Sequence, residues 1–600
     1  MSAPDDSQAP SHEKPIAGQA PSRLLRWLLR FRVWAGEVLR PTELQALLVW
    51  AAIIGVVGAV SAQLFREATD AFHLGLTGQP GNYVDSFAHI PWWKRILIPV
   101  FGGAMAGCAL HFVSRVKKSE TTADYMEAIV VGDGRVAFRA SLMKSLGAFF
   151  SASSGASIGR EGPLVQLAAV LASLPGRFLT LSLPKRRQLV ACGAAAGIAS
   201  AYNAPIGGAF FVAEIILGSL AMESFGPLVV SSVIATLVTR GISSSEAIYE
   251  THPFALHSNW EVVAFVVLGI GCGFVAPAYV RFLRGCEKGF QRLPVPRIAK
   301  LALGGAIFGS LAILHPEVCG NGNTVVYSIL HSPWAWRALL AVLILKVVAT
   351  GVTFGSGAVG GVFTPTLLTG AAIGYLFGTA LIGVFPHAAL DPRAYALVGM
   401  GSFLAAATGA PIMAIIMLFE LTLSYQIILP VMLASVLAYY TCRTFKTKFL
   451  YDAALERKGA AVVSEQLAHL AIADIMRPNP VHLRVSSTFE EIAEAFLQHR
   501  FNYLYVVDEK DRFVGVVALH DVKAYLDKPE LASVLIAEDI RHGEFPSVTR
   551  EQSLEEALHA FEDVRAERLP VVESRTSPVL VGSLSKTDIL IHLLGRHHRR

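Results

Sequence analysis

The chain has 600 residues, of which 53% are apolar and 16% charged, with a mean hydropathy of +0.49. Soluble globular proteins carry about 25% charged residues, so this balance excludes a string of soluble domains and a secreted domain. Set in so apolar a chain, the net charge of +5 does not argue for nucleic acid as a partner.

Residues 1–43 open with a polar, Pro-containing stretch that shows no apolar run behind a charged start, which reads as a disordered cytoplasmic segment rather than a signal peptide. Arg23, Arg26, Arg30, Arg32 and Arg40 precede the first apolar run and place the N-terminus on the cytoplasmic side. Leu44–Phe65, Gln188–Ala213, Val262–Val280, Ala394–Phe419 and Leu421–Cys442 contain no Asp, Glu, Lys or Arg over 22, 26, 19, 26 and 22 residues. About 20 apolar residues suffice to cross a bilayer core. Val347–Leu390 is charge-free for 44 residues, too long for one span and broken by Gly-rich sequence. A polytopic membrane protein is expected. Arg281, Arg284, Lys288, Arg292, Arg297 and Lys300 mark a cytoplasmic loop, Gly241–Trp260 faces outward, and Arg443, Lys446 and Lys448 keep the C-terminus cytoplasmic. The six cysteines form no CxxC pair and read as small buried hydrophobes.

An internal repeat organises the apolar part, about 44–240 and 260–442. GREGPLVQLAA (159–169) precedes AAAGIASAYNAPIGGAFFVAE (194–214); GSGAVGGVFTPTLLTGAA (355–372) precedes GMGSFLAAATGAPIMAIIMLFE (399–420). Pro205 to Glu214 and Pro411 to Glu420 are both nine residues. Gly-rich breaks at membrane depth are tolerated only where they line a cavity, and inverted-repeat transporters place broken helices there. A helix N-terminus carries unpaired N–H groups and about half a positive charge. Two such termini converging make an anion site without a buried Lys or Arg.

From about Leu470 the composition becomes soluble. DIMRPNPVHLRVSSTFEEIAEAF (474–496) aligns with DIRHGEFPSVTREQSLEEALHAF (539–561), and YLYVVDEKDRFVGVVALHDV (503–522) with RLPVVESRTSPVLVGSLSKTDI (568–589). Two units of alternating strands and helices are expected at 471–528 and 536–596, behind a linker at 456–470.

GREGP (159–163), GGVFTP (360–365), the AYNAP and TGAP repeats, and FLY (449–451) resemble the ClC chloride channels and transporters, and the C-terminal pair resembles a CBS tandem. ADYMEA (123–128) and GNGNTV (320–325) resemble the bacterial ClcB-like branch. The resemblance implies the ClC inverted-repeat fold over 44–455, an α-helical polytopic membrane protein with a cytosolic α/β CBS pair. It also implies a homodimer in the bacterial inner membrane with one anion pathway per subunit. By position, Glu161 matches the gating glutamate, Gly162, Val362 and Phe363 match amides that coordinate the anion, and Tyr451 matches the tyrosine facing the central anion. The competing reading of Glu161 is an ion pair with Arg160; Glu214 and Glu420 read as symmetry-related structural carboxylates. The family's GSGIP serine is missing, and Thr121 or Thr122 stands near its place. The proton-relay glutamate of the exchangers falls on Ile215, one residue after Glu214 and about 100° from it on an α-helix.

In the CBS pair, a Ser/Thr three residues before Asp suits the ribose of ATP or AMP. Ser585, Thr587 and Asp588 satisfy the pattern; Ala518 and Asp521 match it less well, and a purely structural platform is the alternative. A gated, passive chloride channel is the expected function, a chloride/proton antiporter the alternative, and a non-conducting nucleotide sensor a third reading. No Ser/His/Asp set, metal-ligand spacing or Walker loop suggests an enzyme, and no required cofactor follows from the sequence. His592, His597 and His598 read as a solvated tail.

Overall fold

The computed structural model describes residues 43–116, 124–130, 132–178, 181–243, 248–249, 260–388, 390–445, 448–451, 471–499, 501–526, 534–563 and 566–589. They fall in two compact units, the described residues of 1–120 with those of 134–444, and the described residues of 121–133 with those of 445–600.

Among the described residues of the first unit, seven helices are long and apolar enough to cross a membrane, from Gln45–Thr77 to Phe363–Val384. The Trp260–Arg292 helix runs on through Arg281, Arg284, Lys288 and Arg292, and the next begins at Arg297. The basic cluster expected in a loop therefore lies entirely on two helices flanking a short turn.

Two of the charge-free runs are broken at an Ala-Pro step. Gln188–Ala213 is broken where Leu183–Tyr202 ends at Asn203, in the left-handed region at φ 53, and a new helix starts at Pro205. Ala394–Phe419 is broken in the same way, with Gly409 at φ 76 ending Pro392–Thr408 and Pro411 starting the next helix. The capping residues Ala204 (φ −123, ψ 86) and Ala410 (φ −124, ψ 79) have almost the same backbone. Proline at the first helical position lacks only an N–H that would be unpaired there anyway, so it starts a helix well and stops the one before. Past this point the halves differ. Pro411–Thr422 is α-helical, whereas Phe211–Leu217 widens into a π-helix.

Small residues let these helices approach. A Cβ on Gly370 would collide with the carbonyl of Gly399, and one on Gly399 with that of Gly370, so Phe363–Val384 and Pro392–Thr408 touch backbone to backbone. Four of the six cysteines are buried, while Cys108 and Cys286 are only partly so.

Among the described residues, the second unit contains two small sheets. β2 (His482–Arg484), β3 (Tyr503–Val507) and β4 (Phe513–Ala518) form one, in the order β2-β3-β4. β5 (Val548–Thr549), β6 (Arg568–Val572) and β7 (Leu580–Ser585) form the other. In each, a parallel pair is followed by an antiparallel hairpin with a bulge at the matching place, Val506/Val507 and Val571/Val572. β1 (Arg477–Pro478) comes from the first repeat yet pairs with β7 of the second. The amphipathic helices Phe489–Gln498 and Leu554–Asp563 bury Ile492 and Leu554 in separate apolar cores.

Candidate functional site

The two Gly-rich loops meet. The Gly159 amide donates to the Gly361 carbonyl at 2.6 Å and the Gly361 amide returns a bond to the Gly159 carbonyl at 2.9 Å, an antiparallel bridge between the halves. Glu161–Ser173 leaves this bridge on one side and Phe363–Val384 on the other, capped by Arg160 and Val362. Both helices begin with Pro two residues into the first turn, at Pro163 and Pro365. Their unpaired first-turn amides therefore face one small region.

Glu161 fills it. The residue is buried (6% exposed), and its Oε1 accepts a hydrogen bond from the Thr364 amide at 3.4 Å. The Phe363 amide and the Tyr202 hydroxyl also face the carboxylate. A Cβ on Gly159 or Gly361 would strike that carboxylate, so only glycine leaves room for it. Gly162 lies against the Gly361 amide, 3.2 Å from where its Cβ would be, and Val362 and Phe363 are buried. A carboxylate carried by one half thus sits on the N-terminus of a helix from the other, where an anion is favoured.

Arg160 does not pair with Glu161. Its guanidinium bonds Asp70 Oδ1 at 2.7 Å and lies 4.9 Å over the Tyr83 ring. Tyr202 and Thr364, which lie within the AYNAP and GGVFTP motifs but are given no role by them, line the site: their hydroxyls are 2.9 Å apart and the Tyr202 ring lies 4.9 Å from that of Phe363. Lys346 was also missed. It is buried, and its Nζ donates to the Val318 and Gly320 carbonyls, each at 2.7 Å. Gly320 in turn donates to the Gly155 carbonyl at 2.9 Å, tying the GNGNTV loop to the approach to Glu161. The available signal was a single Lys inside an apolar stretch.

Glu214 and Glu420 cap each other's halves. Glu214 accepts from the Ile412 and Met413 amides at 3.3 and 2.6 Å, and Glu420 from Ile206 and Gly207 at 3.0 and 2.6 Å. Each satisfies first-turn amides exposed by the Ala-Pro break. Ile215 is partly buried on the π-helix, so its offset from Glu214 is that of a wider turn, not the 100° of an α-helix.

Thr121 and Thr122 lie outside the described residues. Tyr451 is a partly buried residue of the second unit.

In the CBS pair, Ser585 donates to Asp588 Oδ2 at 2.7 Å and accepts from the Asp588 amide at 3.0 Å, while Thr587 is exposed. Arg477 clamps the same carboxylate through Nε, at 3.1 and 3.0 Å, and through its terminal nitrogen at 2.5 Å. Burial pushes the Asp588 carboxyl up, but hydrogen bonds from Arg477 and Ser585 outweigh it and hold the group below the usual range. Asp521 accepts from the Ala518 amide at 3.3 Å and from His542 Nε2 at 2.7 Å.

Comparison with known proteins bears on the family and the fold. The voltage gated chloride channel family model matches residues 102–443, and the CBS domain model matches 472–528 and 537–595. A ClcB-like chloride channel protein of Ralstonia nicotianae is 46% identical over 415 residues, covering 68% of this chain and 97% of the relative. The voltage-gated ClC-type chloride channel ClcB of Escherichia coli is 36% identical over 410 residues, 67% of this chain and 97% of that protein. Among solved structures, a slow cyanobacterial Cl−/H+ antiporter superposes with a TM-score of 0.62 at 26% identity, covering 69% of this chain and 98% of its own. A eukaryotic CLC transporter shares the fold over 90% of this chain and 97% of its own, with a TM-score of 0.57 at 19% identity.

Proposed function

Because the chain belongs to the voltage gated chloride channel family, we propose that it conducts chloride passively, with Glu161 as the gate. The observation that carries this reading is the Glu161 carboxylate on the Thr364 amide, beside the Gly159–Gly361 bridge. A carboxylate seated on helix-end amides competes with any anion for them. Protonation removes its charge, and displacement by chloride frees the amides of Gly162, Val362 and Phe363 to take the anion. Arg160 does not trap the carboxylate, since Asp70 and Tyr83 hold the guanidinium. In this reading Tyr451 donates its hydroxyl to the central anion, Thr121 supplies the hydroxyl in place of the missing serine, and two copies assemble in the inner membrane with both termini cytoplasmic.

Passive flux follows from Ile215. Coupled exchange needs a protonatable side chain that delivers protons from the cytoplasmic side, and a branched alkane carries none at any pH. The alternative is chloride/proton exchange, favoured by the likeness to a cyanobacterial Cl−/H+ antiporter. Proteoliposomes with simultaneous chloride and proton recording separate the two. A chloride gradient is expected to drive no uphill proton movement; uphill pumping at a fixed chloride-to-proton ratio overturns the channel. In the CBS pair, Ser585, Thr587 and Asp588 are the proposed ribose contacts for ATP or AMP. Calorimetry with the full-length protein tests this, and an absence of heat with ATP, ADP and AMP removes it.

A further inference from the structure

We propose that His520 and Asp521 of the first CBS repeat and His542 of the second form a binding site for a divalent transition-metal ion of the zinc class. Their ligand atoms, one from each side chain, all lie within 4.8 Å of one another. His542 Nε2 is 2.7 Å from Asp521 Oδ2, and His520 Nε2 is 3.2 Å from Asp521 Oδ1. Ligands at Zn–N and Zn–O distances of about 2.0–2.1 Å in a tetrahedron stand ~3.3 Å apart, so small rotations of exposed side chains bring this set to coordination geometry.

The sister repeat shows why the cluster is not merely a copy of a structural contact. The repeats align Arg477 with His542, Thr587 with His520, and Asp588 with Asp521. The backbone frame is the same in both: Arg477 pairs antiparallel with Ser583, and His542 with Val516, each five residues before the aspartate. Only the side chains differ. A guanidinium has no lone pair to give, and Arg477 closes Asp588 as an ion pair. An imidazole carrying its proton on Nδ1 presents Nε2 as a ligand, so the ion would take the place of the proton that His542 Nε2 gives to Asp521, and here two imidazoles replace an arginine and a threonine around one carboxylate.

The surroundings fit a metal. The Ala518 amide fixes Asp521 from behind at 3.3 Å, and two backbone hydrogen bonds with Val516, at 2.8 and 3.1 Å, fix His542. Such outer contacts hold ligands in place. The side chains are 75%, 20% and 55% exposed for His520, Asp521 and His542, leaving an entry path and room for water at the remaining positions. Two nitrogens and one oxygen suit Zn2+, Ni2+ or Cu2+ and disfavour Mg2+ and Ca2+. The bound ion would fasten the start of helix Leu519–Leu526 to the segment entering the second repeat, and would take Asp521 away from any ribose.

The test uses full-length protein in detergent, stripped with chelator, equilibrated with Zn2+, desalted and assayed for bound metal, with Co2+ as the spectroscopic probe. The expected result is one equivalent per chain in the wild type and in the triple variant His592→Ala, His597→Ala, His598→Ala. His520→Ala and His542→Ala should each weaken binding at least ~10-fold. His542→Arg, which copies the sister repeat, should abolish it while keeping Asp521 paired and the repeat folded. A stoichiometric ion that survives His542→Arg, one that disappears with the tail histidines, or a wild type that retains none overturns the site.

Discussion

The membrane unit and the CBS unit are both duplications, and each keeps its symmetry in one place and gives it up in another. In the membrane unit Glu214 and Glu420 occupy equivalent positions, use the same residue type and cap the same kind of helix start, each in the opposite half. At the bridge the halves part. The first helix residue after Gly159–Arg160 is Glu161, and after Gly361–Val362 it is Phe363, so one half brings the charge and the other the amides that receive it. The CBS repeats keep their strand order and bulges but put Arg477 on one aspartate and His542 on the other. Where sister positions agree, they satisfy backbone groups that both halves expose; where they disagree, the chain has specialised one half.

The largest effect is expected from removing the specialised charge. Glu161→Ala should raise chloride efflux from proteoliposomes at neutral external pH and abolish its pH dependence; a mutant that keeps the wild-type profile would show that the asymmetry at the bridge is not a gate. Gly361→Ala should give a weaker form of the same change, because its methyl displaces the Glu161 carboxylate. Combined with Glu161→Ala it should add nothing, and additive effects would separate glycine from gate.

Glu214→Ala and Glu420→Ala probe the symmetric pair. Each leaves two first-turn amides without an acceptor, and a bond to a charged group is worth about 1.5–3 kcal/mol. Both variants should melt earlier in detergent, by similar amounts; a large loss from one with none from the other breaks the structural equivalence. Tyr451→Phe should weaken calorimetric chloride binding by about 1.5–3 kcal/mol, one hydrogen bond to an anion, and unchanged affinity would assign the ring to packing.

The smallest effect belongs to Arg477→Ala. Asp588 is depressed in the folded state, since the bonds from Arg477 and Ser585 outweigh its burial. Its stabilisation is therefore present above the unfolded carboxyl value of about 3.9 and is lost as pH falls through the lower folded value. The variant should melt slightly earlier than wild type at pH 7, and the gap should shrink as pH falls below the unfolded carboxyl value of about 3.9. A gap that does not change with pH would point to packing of the arginine stem instead.

The sequence by itself determined the class and the duplications. Charge-free runs fix apolar segments, and repeated Gly and Ala-Pro spacings fix where helices must stop, because these are local properties of the chain. It also marked Glu161 as a carboxylate at a helix start, and Asp521 and Asp588 as sister residues. Tertiary structure alone decided which amides each carboxylate meets. Glu161 finds Thr364, and Glu214 finds Met413, across separations of 203 and 199 residues. It turned Arg160 towards Asp70, 90 residues away, rather than its neighbour Glu161. It widened Phe211–Leu217 into a π-helix, and brought His542 to His520 and Asp521. Such pairings depend on loops meeting across the fold, and nothing in a local pattern carries the direction in which a side chain will find its partner.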